Sequence, residues 1–205
     1  MTLKQYVEQH ILPRYAAFDK AHNLSHVEAV ITRSHALALQ YGVNTDMAYA
    51  IAAYHDLGLC EGREWHHIAS GRILADDAML REWFTPEQID VMREAVEDHR
   101  ASSSHEPRSL YGCIVAEADR LIDPELTLRR TIQYGLKHLS TTDREQHYRR
   151  FVDHLMEKYA PGGYLRLWLP ESDNARQLRT LQAIIADEAM LRTTFDRLYD
   201  EEVNF

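Results

Sequence analysis

Residues 45–58 read TDMAYAIAAYHDLG. From Met47 to Ala53 nearly every side chain is apolar, so a helical projection of this stretch has no polar face. A helix that is apolar all round belongs in a core. The stretch therefore predicts a buried central helix over 45–57, closed by Gly58. Its end carries two adjacent polar residues, His55 and Asp56. Burying them without partners is costly. The partners are either main-chain groups at the helix end or a cation shared by an imidazole and a carboxylate.

Helical periodicity continues on both sides, without clear alternating strand runs. A first helix is expected over 2–18, with Pro13 as a kink or early stop. A second covers 24–41, where Ser25 and Glu28 have capping-box spacing and Gly42 follows the end. Others are expected over 65–77 and from Thr85-Pro86, an N-cap followed by a first-turn proline, to about 99. The polar stretch RASSSHEP (100–107) reads as a loop. Helices follow over 109–121, 124–138 and 142–159, then a turn at Pro161-Gly162-Gly163 and a long helix over 173–200. YLRLWL (164–169) is a candidate short strand. The expectation is an all-α, single-domain helical bundle, with a core over about 20–123 and a helical extension over 124–205.

Composition limits what such a bundle does. The chain has 205 residues, 45% of them hydrophobic, and a net charge of −9. That supports a real core and argues against broad, charge-driven nucleic-acid binding. No apolar run reaches the roughly 18 residues of a membrane helix. The first twenty residues lack the apolar core and cleavage site of a secretory signal. Two cysteines, Cys60 and Cys113, fit a reducing compartment, so a cytoplasmic location is expected. Histidine is abundant, at 12 residues.

Two further polar residues repeat the theme of the His55-Asp56 pair. Asp119 lies in the otherwise apolar IVAEADRLID (114–123), although Asp is a poor residue for a helix interior or a core. Pairing with Arg120 is disfavoured, because adjacent helix positions do not face each other. His26 lies at a helix start, in HNLSHVEAV (22–30).

The ordered set AHNLSH (21–26), YHDLG (54–58), WHHIASGRIL (65–74), VEDHR (96–100) and AEADRL (116–121) resembles the HD-domain metal-dependent phosphohydrolase superfamily. The resemblance implies that His26, His55, Asp56 and Asp119 hold one metal, with His55, Asp56 and Asp119 central to catalysis. It implies His67 and His99 as ligands of a second metal, with His66 the less favoured of the 66–67 pair and Asp56 as the bridge. The implied cofactor is a divalent ion (Mn, Fe, Co, Zn or Mg), one or two per chain. The implied reaction is attack by metal-activated water on a phosphomonoester or phosphodiester of a small molecule, a nucleotide.

Arg63, Arg100 and Arg72 flank these motifs and are the expected phosphate contacts, with Arg120, Lys20, Arg129 and Arg130 as further options. Trp65 and Tyr54 read either as base-stacking residues or as core, and His105 as a further substrate contact. The expected partner is thus a small phosphorylated compound; no membrane is expected, and homo-oligomer formation is left open. Leu59 replaces the glutamate of nucleotidase-type relatives, and Asn23 replaces an aspartate found in many members. These departures leave room for a regulatory protein that binds metal and ligand without turnover. A di-iron oxygenase of the same superfamily is a third reading.

Overall fold

The structure, a computed structural model, describes residues 1–19, 22–101, 103 and 105–203. It is 73% helical and, among the described residues, has no strand. The chain divides into two compact units, Met1–Arg120 and Leu121–Phe205. The first carries α1 (Leu3–Tyr6), α2 (Leu24–Tyr41), α3 (Thr45–Tyr54), α4 (His66–Asp76), α5 (Pro86–Glu97) and α6 (Leu110–Asp119). The second carries α7 (Pro124–His138), α8 (Arg144–Lys158), α9 (Asp173–Ala186) and α10 (Glu188–Val203). No helix among the described residues is long and apolar enough to cross a membrane.

In the first unit α3 is the axis. Met47, Ala48, Ala50, Ile51, Ala52, Ala53 and Tyr54 are all buried, as an unbroken apolar surface requires. Asn44 starts the helix by accepting from the N–H groups of Asp46 and Met47. Around it pack Val27 and Val30 of α2, Leu74 of α4, Ile89, Met92 and Val96 of α5, and Val115 of α6.

The approach of α4 is set by glycine. A Cβ on Gly58 would sit 2.1 Å from the His66 carbonyl oxygen and 2.5 Å from the Ser70 nitrogen. The Gly58 N–H instead donates to Ser70 Oγ at 2.8 Å. This contact fixes the first turn of α4 against the segment that follows Asp56.

Two starts and stops differ from the sequence reading. The N-cap of α2 is Asn23, whose side chain accepts from the His26 N–H; Ser25 lies inside the helix and donates to Asn23 Oδ1. The segment expected as one helix over 2–18 is α1, then a wide turn at Val7–Ile11 and a tight one at Leu12–Ala17. Pro13 lies in the tight turn, where its missing N–H costs no helical bond.

The second unit has its own core of Leu128, Ile132, Phe151, Leu155, Leu181, Phe195 and Leu198. The expected long helix over 173–200 is two helices that part at Asp187. The backbone there is extended (φ −97°, ψ 96°), and its carboxylate accepts from the Met190 N–H. An Asp in this position starts a helix better than it continues one. The candidate strand at 164–169 is irregular. The Tyr164 and Leu165 N–H groups donate to the carbonyls of Glu157 and Lys158, closing the end of α8.

Candidate metal centre

Five helix ends of the first unit deliver side chains to one place. The helix α3 stops at Tyr54, and Asp56 leaves the helical region (φ −109°, ψ 2°). His99 stands two residues beyond the end of α5, and Asp119 is the last residue of α6. His26 lies in the first turn of α2, and His66 opens α4. His55, Asp56 and His99 are buried, while His26, His66 and Asp119 are partly exposed.

The side chains form two groups that share Asp56. In the first, His55 Nε2 lies 3.2 Å from Asp56 Oδ2 and 3.6 Å from Asp119 Oδ1. His26 Nε2 lies 3.6 Å from Asp56 Oδ2, 3.2 Å from Asp119 Oδ1 and 3.3 Å from His55 Nε2. In the second, the other oxygen of Asp56, Oδ1, lies 3.6 Å from His66 Nε2 and 3.5 Å from His99 Nε2. The two imidazole nitrogens are 3.2 Å apart. Both groups, His26/His55/Asp56 and Asp56/His66/His99, have the spacing to hold a metal ion.

The donor chemistry fits a cation. His55, His66 and His99 donate Nδ1–H to the carbonyls of Ala52, Arg63 and Val96, at 2.7, 2.8 and 2.6 Å. Each bond fixes the tautomer and leaves the Nε2 lone pair facing inward. The facing Nε2 atoms of His66 and His99 are thus both acceptors when neutral. Ligand atoms about 2.1 Å from a common ion lie roughly 3.0–3.4 Å apart, close to the spacings here.

The clustered imidazoles and carboxylates shift one another's protonation. Burial alone would push His55 down, but the carboxylates of Asp56 and Asp119 overcome it and raise its pKa to about 10. Burial would likewise lower His26, and the same two carboxylates raise it. Asp56 and Asp119 are held well below the usual carboxylate range, because the surrounding imidazoles outweigh the burial that would raise them. His66 is lowered, by burial and then by the neighbouring His99.

The structure brings together five of the six residues named from the sequence as metal ligands, and exchanges the sixth. His66 enters the second group and His67 does not. His67 packs beside Trp65 and His66, with a buried Nδ1 that has no hydrogen-bond partner among the described residues. Burial and the nearby His99 push its pKa down to about 4. The reason is helical register: Ser70 and Leu74 are fully buried, so the row 66–70–74 faces inward, and His67 is turned about 100° away from it.

The expected phosphate contacts are dispersed. Arg63 is exposed, 3.9 Å from Asp19. Arg100 reaches back to donate to the Glu64 carbonyl at 2.6 Å. Both belong to the stretches flanking His66 and His99. Arg72 is paired with Glu61. Arg120 is buried, and Arg129 is occupied by Glu125, Glu201 and Glu202 in the second unit. Lys20 lies outside the described residues. His105 is exposed and donates to the Glu106 carbonyl.

The two aromatic candidates separate. Tyr54 is core, with its hydroxyl on Asp77 at 2.6 Å. Trp65, just before His66, is 65% exposed. Tyr15 and Arg33, which the motif reading did not reach, contact the main chain beside the two carboxylates.

Comparison with known proteins agrees with this geometry. The HD domain family matches residues 23–122, which include every member of both groups. A predicted HD superfamily hydrolase from an uncultured Thermotogales bacterium has a similar crystal structure. It shares 21% identity and a TM-score of 0.50, over 76% of this chain and 94% of that one. That likeness speaks to the fold alone. No curated protein matches the chain. Residues 23–122, which hold both groups, thus form an HD domain.

Proposed function

We propose that the protein is a metal-dependent phosphohydrolase that cleaves the phosphate ester of a small molecule, a nucleotide. His26, His55, Asp56 and Asp119 would hold one divalent ion, and Asp56, His66 and His99 a second. The observation that carries this reading is the Asp56 carboxylate, which turns one oxygen to His26 and His55 and the other to His66 and His99. A mixed set of imidazoles and carboxylates suits Mn²⁺, Fe²⁺, Co²⁺ or Zn²⁺. When bound, such an ion polarises phosphoryl oxygens and activates water.

The remaining steps belong to the chain. Three Nδ1–H bonds to main-chain carbonyls keep the imidazoles aimed. Arg63 and Arg100 meet the substrate phosphate, supplying positive charge in a protein of net charge −9. The exposed face of Trp65 stacks on the base; such contacts are worth about 1–3 kcal/mol each. Asn23 is committed to capping α2 and supplies no general base.

The test is a phosphate-ester panel with Mn²⁺ or Co²⁺ added to protein purified without chelator. Nucleoside monophosphates should be cleaved faster than ribose 5-phosphate. Bound metal with no hydrolysis of any substrate would remove the hydrolase reading in favour of a binding protein.

A further inference from the structure

The helix α3 must break between His55 and Asp56 for Asp56 to face both groups, and the atoms that stabilise this break come from far away in the chain. Two carbonyls of the last turn, those of Ala52 and Ala53, need donors once the helix stops. Ala52 receives His55 Nδ1–H. Ala53 receives the hydroxyl of Tyr15, at 3.0 Å. The same hydroxyl oxygen faces the Asp56 N–H at 3.4 Å. Tyr15 is fully buried, and its ring lies beside that of His55, 6.5 Å between centroids. One hydroxyl thus closes the main chain on both sides of His55, from the Ala53 carbonyl to the Asp56 N–H.

The other carboxylate has a matching arrangement. The helix α6 ends at Asp119, and the carbonyl just before it, on Ala118, receives Arg33 Nε–H at 2.6 Å. Arg33 lies seven residues after His26 on α2, two turns along the same face.

We propose that Tyr15 and Arg33 are positioning residues of the metal centre: Tyr15 aims Asp56, and Arg33 aims Asp119. Neither hydrogen-bonds an atom that would hold an ion; each acts through the main chain beside the residue it positions. This rests on the metal centre of the preceding section, but not on hydrolysis. Because Asp56 serves both groups, Tyr15 acts on both. Arg33 acts on the Asp119 group alone.

The experiment is a Co²⁺ titration of the full, chelator-stripped chain, followed by visible absorption, with Tyr15→Phe and Arg33→Met as variants. Phe fills the space of the Tyr ring and lacks only the hydroxyl. Loss of such supporting contacts typically weakens metal binding about 10–100-fold. Y15F should raise the Kd of every bound Co²⁺ by about that factor and change the absorption band, at a temperature where circular dichroism shows an intact fold. R33M should weaken one binding step and leave the band of the other unchanged.

A Y15F chain with wild-type affinity and band shape would show that Tyr15 only packs, and would overturn its assignment. A Y15F chain that does not fold also counts against it, because the ring alone should hold the core. For Arg33, R33M with two unaltered binding steps, or with both weakened equally, has the same force. Wild-type protein that binds no Co²⁺ ends the metal centre itself, whereas tight Co²⁺ binding without turnover ends only the hydrolase reading.

Discussion

Asp56→Ala is the most informative single change. It removes one donor atom from each group and one negative charge from the centre of both. The first group would keep His26, His55 and Asp119; the second would keep only His66 and His99. Disturbing a contact that merely supports a ligand costs about 10–100-fold in affinity, so deleting a shared ligand should cost at least about 100-fold, or roughly 2.7 kcal/mol. The second group, left with two imidazoles, should lose its ion altogether. The fold should persist, because seven buried apolar residues anchor α3 independently of the site. The assay is metal content by mass spectrometry on protein purified without chelator, alongside phosphatase activity and circular dichroism. His26→Ala and His66→Ala are the controls: each should deplete one group and spare the other. Full metal occupancy in D56A would refute the bridging role. So would loss of the same single ion from both histidine variants.

Other consequences can be read from individual contacts. His66→Ala should lose metal and activity, whereas His67→Ala should retain both; metal analysis of the two proteins decides, and the reverse result would restore the register read from the sequence. Gly58→Ala drives a Cβ against the main chain of α4, 2.1 Å from the His66 carbonyl oxygen. It should destabilise the first unit by about 1–3 kcal/mol and deplete the His66 group, as seen in urea unfolding and metal content. Metal binding should also release protons. His55 sits at about 10 in the metal-free chain, so near pH 7.5 an arriving ion displaces its proton. Calorimetric titration in two buffers of different ionisation enthalpy measures the release, and equal heats in both would refute it. The same shift sets the pH dependence of the metal-free fold. His55, raised from about 6.5, contributes stability that is complete below that pH and lost as pH rises through about 10. Asp56 and Asp119, both depressed, contribute stability present above about pH 4 and lost on acidification. Thermal melts of stripped protein across this range test both limbs.

How much of this was legible beforehand differs from element to element, for physical reasons. The helix α3 was readable because a core helix writes its burial into composition. The start of α5 was equally plain, since Thr85 and Pro86 each favour one position at a helix N-terminus. Spatial convergence was legible only through the family pattern, because no local rule links His26 to Asp119 across 93 positions. The exchange of His66 for His67 is a register error: adjacent residues have the same composition signal, and only Ser70 and Leu74, four and eight positions on, mark the inward row. The Asp187 break was missed because an aspartate on a polar face looks the same in a helix interior as at a cap. Tyr15 and Arg33 carried no signal at all, since each meets a main-chain carbonyl, and any sequence can provide one.

The placement of the centre at helix ends has its own electrostatic logic. The C-terminal ends of α3, α5 and α6 lead to His55-Asp56, His99 and Asp119. A helix C-terminus carries about half a negative charge on its unpaired carbonyls. Three such ends outnumber the two positive N-terminal ends of α2 and α4 that also reach the site, leaving a net bias towards a cation before any side chain is counted. The Nδ1–H bonds of His55 and His99 go to carbonyls of those same ends, so the groups that close the helices also orient the imidazoles. Moving the pair one turn back into α3 would keep its composition but lose this field and the break held by Tyr15. The site therefore depends on where the helices stop as much as on which residues they carry.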